Sequence, residues 1–345
     1  VTEPIADVGL PAFPTASGLR ARPYAGRADH PAMAALISEC LRVGGFGERE
    51  EPAGLDAWLT DPRNMDPSRD IVLVETGAGA LVACAIVRWL DRNTTGERSF
   101  ETSCDVHPEY RRRGIGGALL AWQDARIAEI ISGMTDLAGR PVIAAGYVSE
   151  LDADGQALLR RTGFTEVRRA AEMHREDLAD LPDPPIPDGI RIGSIDPTDQ
   201  PMLRRVWAVT GEVFSGHWGD PEPDRSESAW RRFIDHPYVQ PELWCVAFDG
   251  DEVIGHILNY VAPADDGAII GWTEGIAVRG EWRRRGIARA MLAWSLRRVR
   301  DAGAVRAALG VDVSNPNQAP ELYASMGFRT TTIELEYHRA LSPAP

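Results

Sequence analysis

Lysine does not occur in this 345-residue sequence, so all 37 basic residues are arginine, set against 51 aspartates and glutamates for a formal net charge of −14. The acidity is spread over both halves. No segment gathers the basic face or stripe that a nucleic-acid binder carries, which argues against nucleic acid as a partner. An acidic surface favours solubility and steers small cations toward it. Cysteine is scarce as well: Cys40, Cys84, Cys104 and Cys245 are the four, without Cys-x-x-Cys spacing or a histidine cluster. That pattern excludes a disulfide scaffold and a structural zinc site, so no metal is expected and each thiol is expected to be a small core residue. Long apolar runs are missing too, none reaching the roughly 18 residues of a membrane span, and residues 1–18 lack the basic and apolar segments of a secretory leader. The expectation is a cytoplasmic protein with no membrane partner.

What is present is ordinary in amount, 44% apolar and 26% charged, and sufficient for two cores at the usual ~100–200 residues per domain. The order is not ordinary, because the chain is written twice. Val106-His-Pro-Glu-Tyr-Arg-Arg-Arg-Gly-Ile-Gly116 aligns with Val278-Arg-Gly-Glu-Trp-Arg-Arg-Arg-Gly-Ile-Ala288 at an offset of 172. The apolar run Ile71 to Leu90, broken at Gly77-Ala-Gly79, matches Leu243 to Val261, broken at the tight-turn pair Asp249-Gly250. Gly163-Phe164 matches Gly327-Phe328 at an offset of 164, so the first copy holds about eight more residues near Ile127 to Pro141, where they lengthen a helix end or a loop.

Between the copies, the proline-rich residues 180–189 resist both helix and central strand, which gives domains over 1–180 and 190–345 and a linker over 181–189. Each copy reads as a strand (Leu19 to Tyr24, Ile190 to Ile195), a helical region and a hairpin. A strand running into the arginine-rich loop follows, then an amphipathic helix, another strand and a short helix ending at Gly-Phe. Hairpins first and a strand-loop-helix unit later argue for an α+β, mixed α/β domain.

In the second copy the alternation of Gly271 to Val278 predicts a strand, and the apolar spacing from Gly286 to Val299 predicts a helix. A glycine at such a junction lets the backbone approach a ligand closely, and the free amides and dipole of the helix start favour a bound phosphate. Arg283, Arg284 and Arg285 add positive charge in an acidic protein. The bland reading is a solvated arginine run beside a helix cap, and its repetition in the first copy weighs against that.

Arg283-x-x-Gly286-x-Ala288, followed by Asn315-Pro-x-x-Ala319-x-x-Leu-Tyr323-x-x-x-Gly-Phe328, resembles the acetyl-CoA site of the GNAT superfamily of N-acetyltransferases; the first copy repeats it as Arg111-x-x-Gly114-x-Gly116. The resemblance spans nearly the whole chain as two tandem GNAT domains, each a mixed central sheet flanked by helices, the arrangement of the mycothiol synthases. It implies acetyl-CoA as cofactor. The amides of Arg284, Arg285, Gly286, Ile287 and Ala288, with Arg289 beyond, would hold its pyrophosphate. Ile276, Ala277 and Val278 would pair with the pantetheine arm, and an amide near Val278 would polarise the thioester carbonyl. Asn315 would contact the pantetheine, or is simply a turn residue ahead of Pro316. Tyr323 would be the acid that protonates the departing thiolate, or a core ring. Glu274, assigned by the period of two to the side-chain face of Ile276 and Val278, is the candidate base, or an ordinary strand carboxylate.

The first copy sets Leu159 opposite Tyr323, Leu151 opposite Asn315 and Thr102 opposite Glu274. It therefore keeps a phosphate cradle of Val106, Arg111, Arg112, Arg113, Gly114, Ile115, Gly116 and Gly117 but lacks the acid and the base. Glu101 and Cys104 are the only chemical substitutes in reach, and Cys104 is expected in the core. Tyr110 and Trp282, ahead of each loop, are expected to pack. The resemblance places the acceptor near Phe214, His217 and Trp218, in an aromatic and acidic segment suited to a small amine, or in an ordinary surface loop. The leading expectation is acetyl transfer to a primary amine of a small molecule by direct attack, in a monomer or homodimer. Acetylation of a cysteinyl amine, as in mycothiol synthesis, and a non-catalytic coenzyme A binding protein are the alternatives.

Overall fold

A computed structural model describes residues 9–13, 17–60, 62–215, 224–264, 266–315 and 317–341. In chain order the first copy contains β1 (Leu19–Pro23), α1 (His30–Val43), α2 (Pro52–Thr60), α3 (Pro67–Asp70), β2 (Ile71–Thr76), β3 (Leu81–Asp91), β4 (Arg98–Val106), α4 (Ile115–Ser132), β5 (Val142–Ser149), α5 (Ala153–Arg161) and β6 (Thr165–Arg175). The second contains β7 (Ile190–Gly193), α6 (Gln200–Phe214), α7 (Glu227–Ile234), β8 (Cys245–Asp249), β9 (Glu252–Pro263), β10 (Ile269–Val278), α8 (Ile287–Asp301), β11 (Arg306–Asp312), α9 (Ala319–Ser325) and β12 (Arg329–Leu341). The duplicated order of elements agrees with the duplicated sequence. The extra residues of the first copy divide between a longer helix, 18 residues in α4 against 15 in α8, and a longer loop at 133–141 against 302–305.

The compact units are residues 1–168 with 334–345, and residues 169–333. This differs from the division at the proline-rich stretch, because each copy's last strand completes the sheet of the other unit. In the first unit the neighbours run β1-β2-β3-β4-β5-β12, with β4 and β5 parallel and Glu334 to Leu341 of β12 antiparallel to β5. In the second they run β6-β11-β10-β9-β8-β7, with β10 and β11 parallel and Ala170 to Arg175 of β6 antiparallel to β11. Residues 181–189 belong to the second unit, where Arg297 on α8 donates to the Pro182 carbonyl at 2.9 Å and to Asp183 at 2.7 Å.

The two faces of the second sheet are covered differently. On one, α8 packs Ile287, Met291, Leu296 and Val299 against Ile254, Ile257, Ala307 and Leu309. On the other, α6 and α7 bring Leu203, Val206, Val209 and Trp230 onto Val246, Val253 and Leu258. Apolar residues three and four apart on the helices and two apart on the strands account for both contacts. Among the thiols, Cys84 and Cys245 are buried, Cys40 is half-buried and Cys104 is exposed, against the expectation of a core position. Cys104 follows Ser103 where β4 has passed its last pair with β5, Thr102 with Gly146, so no strand covers its outer edge.

Candidate active site

Both arginine loops fold alike. Arg112 and Arg284 take φ of 62° and 63°, and Gly114 and Gly286 take 83° and 86° as the residues preceding α4 and α8. Two left-handed residues flanking a right-handed or extended one turn successive amides toward one concavity, and the position just before the helix needs glycine. In the second unit the amides of Arg284 to Arg289 make no backbone hydrogen bond among the described residues. Arg283, Arg284 and Arg289 then divide their tasks. Arg283 turns back, its Nε donating to the Val278 carbonyl at 2.9 Å, as Arg111 does to Val106 at 3.1 Å. These two fix the loop to its strand. Arg284 reaches Gln318 Oε1 at 2.9 Å, just ahead of α9. Arg289 stands one turn into α8 with Nη1 4.0 Å from Met326 Sδ.

The strand ahead of the loop carries the decisive irregularity. β10 pairs with β11 only through Ile270–Arg306, Gly271–Ala307 and Trp272–Ala308, so beyond Trp272 the parallel strands part and the β11-side edge of Glu274 to Val278 is open. On its other side β10 pairs Glu274 with Leu258 and Ala277 with His256, three steps against two, which is a β-bulge at Gly275 and Ile276. Gly275 has φ 56°, and glycine accepts that conformation without strain. The bulge overturns the period-two assignment: Ile276 and Val278 pack toward α8, whereas Glu274 shares its face with Leu258 on the α6 side. His256 lies beside the bulge, fully buried, with Nε2 2.9 Å from Thr210 Oγ1 on α6; burial lowers its pKa to about 4 and keeps it neutral.

Glu274 thus stands at the parting of two strands. Burial raises its pKa to about 7, the nearby Glu172 carboxylate adds to the rise, and an amide hydrogen bond from Gly310 opposes it. Tyr323 on α9 is 6% exposed, its ring edge-on to Phe328 with centroids 6.3 Å apart. Burial and then the charge of Glu274 push its phenol well up, so it stays protonated in the neutral range. The ring packs in the core and the phenol keeps its proton. Asn315 closes a turn, its Oδ1 accepting from the Asn317 amide at 2.9 Å. Trp282 packs against the α8 core and donates to Asp249 at 2.9 Å. Phe214 ends α6, half-buried; His217 and Trp218 lie outside the described residues.

One pair of residues escaped the sequence reading. Glu172 on β6 is registered with Gly310, and His174 with Ala308, so Glu172 and Glu274 flank Gly310 on one face of the sheet. Glu172 Oε1 lies 2.6 Å from His174 Nε2, and both side chains are 8% exposed. On the same face Trp272, Tyr260 and Tyr238 stack, with successive centroids 6.1 and 5.3 Å apart. The signal was present: Glu172-Met-His174-Arg175 recurs as Glu336-Tyr-His338-Arg339 at the Gly-Phe offset of 164.

In the first unit, β4 pairs with β3 without a shift from Ala83–Val106 to Asp91–Arg98. It has no bulge. The two registers therefore make Thr102 the counterpart of Thr273, their hydroxyls donating alike to Ala145 and Ala308, and Ser103 the counterpart of Glu274. This corrects the pairing of Thr102 with Glu274, which ignored the inserted residue. Glu101 is bound to Arg92 at 3.1 Å and Ser99 at 2.5 Å. Leu159, opposite Tyr323, is buried and Leu151 is exposed. The loop arginines are already matched: Arg111 lies 3.4 Å from Asp152, Arg112 lies 3.0 Å from Asp154, and Arg113 stacks over Tyr110 at 4.8 Å.

Comparison with known proteins identifies the family and the fold. The model of the acetyltransferase (GNAT) family matches residues 31–125 and again 205–328. Among curated relatives, the mycothiol acetyltransferase of Geodermatophilus obscurus is 25% identical over 90% of this chain and 95% of its own length. That of Kineococcus radiotolerans is 31% identical over 89% of this chain and 92% of its own. Among solved structures, a GCN5-related N-acetyltransferase from Sphaerobacter thermophilus superposes with a TM-score of 0.71 at 25% identity, covering 97% of this chain and 98% of that one. A tandem GNAT protein of the clavulanic acid biosynthesis pathway shares the fold, with a TM-score of 0.68 at 16% identity over 95% of this chain and 100% of its own. The chain belongs to the GNAT family of acetyltransferases, as a tandem member that takes its acyl group from an acyl-CoA.

Proposed function

We propose that the second unit carries the chemistry, moving acetyl from acetyl-CoA to the primary amine of a small molecule. The observation that carries this reading is a half-buried carboxylate, Glu274, at the parted strands directly upstream of an open amide loop. The amides of Arg284 to Arg289 hold the pyrophosphate, and the free edge of Ile276 to Val278 takes the pantetheine as an added strand. An acceptor ammonium gives one proton to Glu274, directly or through water, and a base titrating near 7 accepts it at neutral pH and can release it. The amine nitrogen then bonds to the thioester carbonyl carbon. As the carbon–sulfur bond breaks, the nitrogen loses its second proton to water, leaving the neutral amide, and the thiolate takes the phenol proton of Tyr323, which later returns from solvent. The first unit has Ser103 and Leu159 at the corresponding positions and serves a structural or binding role.

The names of the curated relatives favour one acceptor within this class, a cysteinyl amine. The test is release of free thiol from acetyl-CoA in the presence of L-cysteinamide, glucosamine and 1,5-diaminopentane. Tyr323→Phe is expected to lower turnover roughly 10- to 100-fold while calorimetry finds acetyl-CoA affinity within about twofold of wild type. Tight acetyl-CoA binding with no amine-dependent thiol release by the wild-type protein would leave it a coenzyme A binding protein instead.

A further inference from the structure

The first unit holds an internal cation, Arg92, at a position where the second carries Ala264 by strand register. Arg92, whose side chain is 3% exposed, sits between Glu336 at 2.8 Å and Glu101 at 3.1 Å, with Tyr147 Oη 3.2 Å away. Glu336 also meets His338 Nε2 at 2.8 Å, as Glu172 meets His174. By strand register Glu336 corresponds to Glu172, His338 to His174, Tyr147 to Gly310 and Arg92 to Ala264. The second unit therefore repeats the glutamate–histidine pair but replaces the internal guanidinium with a methyl group and the tyrosine with a hydrogen. A Cβ placed on Gly310 would meet no heavy atom within 4 Å. The start of the side chain that Tyr147 carries in one unit is thus unobstructed at Gly310 in the other, and two carboxylates, Glu172 and Glu274, flank that residue.

We propose that Glu172 binds the acceptor: the substrate is a cationic primary amine whose ammonium lies over Gly310, between Glu172 and Glu274, where Arg92 lies against Glu336 in the first unit. This rests on the transferase reading above and adds its specificity residue. Glu172 holds the charge, His174 orients Glu172, and Glu274 takes the proton. A carboxylate of low exposure favours a cation over a neutral molecule of equal shape, because only the cation gains charge–charge attraction there. The first unit, with Arg92 and Tyr147 in the corresponding space, accepts no amine.

A guanidinium cannot serve as the acetyl acceptor here but copies the Arg92 head group, so n-butylguanidine separates binding from chemistry. Calorimetry is expected to find it bound to the wild-type protein. Glu172→Gln, which keeps the shape of the side chain, should weaken it roughly 10- to 100-fold. Gly310→Tyr, which installs the side chain of Tyr147, should abolish it, while Gly310→Ala keeps the fold with a smaller loss; acetyl-CoA affinity should stay unchanged in all three. In steady state Glu172→Gln should raise the amine KM with little change in kcat. No butylguanidine binding by the wild-type protein, or equal binding by Glu172→Gln, overturns the assignment. Absence of thiol release with every amine overturns the transferase reading instead, whatever the guanidine does.

Discussion

The two arginine loops match to within a few degrees in φ at Arg112 and Arg284 and at Gly114 and Gly286, yet the strands that lead into them differ by one residue. In the proposed mechanism that residue separates a cradle from a catalytic centre. The bulge at Gly275 and Ile276 leaves Ile276 and Val278 packed toward α8 while Glu274 faces the α6 side at the parting of β10 and β11. Unbulged, β4 instead carries Ser103, exposed and hydrogen-bonded to Asp105 at 3.4 Å. Backbone anion sites survive duplication easily, since they ask for torsions and a glycine. Proton transfer needs a particular carboxylate in a particular low-dielectric place, and under the proposed mechanism the second unit supplies it.

The sharpest way to break the comparison is to remove that carboxylate. Glu274→Gln should lower amine-dependent turnover by roughly 10²–10⁴-fold, and Ser103→Ala should leave it unchanged. In the wild-type protein the acid limb of kcat/KM should fall near pH 7, where Glu274 titrates, about tenfold per pH unit below it, and the variant should lose that limb. A full acid limb in Glu274→Gln would move the base elsewhere.

The elements that could be read from the sequence are those whose cause is local. The loops are contiguous, repeated and punctuated by glycine, and both hairpins and both long helices fall where apolar spacing puts them. Glu274 was found because it precedes the loop on a readable strand, but its face was misassigned, since a one-residue insertion is invisible to an alignment anchored at Val278. Glu172 was missed for a topological reason. It lies before the proline-rich stretch, in what reads as the first domain, and reaches Gly310 only because β6 completes the second sheet. Strand exchange between copies leaves no mark on composition or periodicity. Only the Glu-x-His-Arg repeat hints at it.

The same carboxylate sharpens the comparison through stability. Glu274 has its pKa raised from 4.5 to about 7, so the folded state holds the proton more tightly than the unfolded chain. Its stabilising contribution is complete below pH 4.5 and is lost as pH rises through about 7. Glu274→Gln, always neutral, should therefore match the wild type in urea midpoint at pH 4.5 and exceed it at pH 8, by on the order of 2 kcal/mol. A variant less stable than wild type at pH 8 would show that the ionised carboxylate is solvated by the fold and is not burdened by it. Ser103→Ala should show no such dependence on pH.

The smallest effect lies in the first cradle, where charge is the variable. Arg112 faces Asp154 and Arg111 faces Asp152, whereas the residue facing Arg284 is the neutral Gln318. A bound pyrophosphate in the first loop would meet arginines already neutralised and two carboxylates that repel it. Arg112 and Asp154 are largely exposed and Arg111 and Asp152 partly so, and solvent and salt screen most of that penalty. With the second loop closed by Gly286→Val, the paired change Asp152→Asn and Asp154→Asn should raise coenzyme A affinity only a few-fold at low salt. Asparagine keeps the helix-start hydrogen bond that Asp152 accepts from Gly155 at 2.8 Å, so the fold is spared. The gain should vanish in 0.5 M salt, where the screening length is about 4 Å. A gain that persists there would trace the weakness of the first cradle to shape, because torsions and packing do not respond to ionic strength.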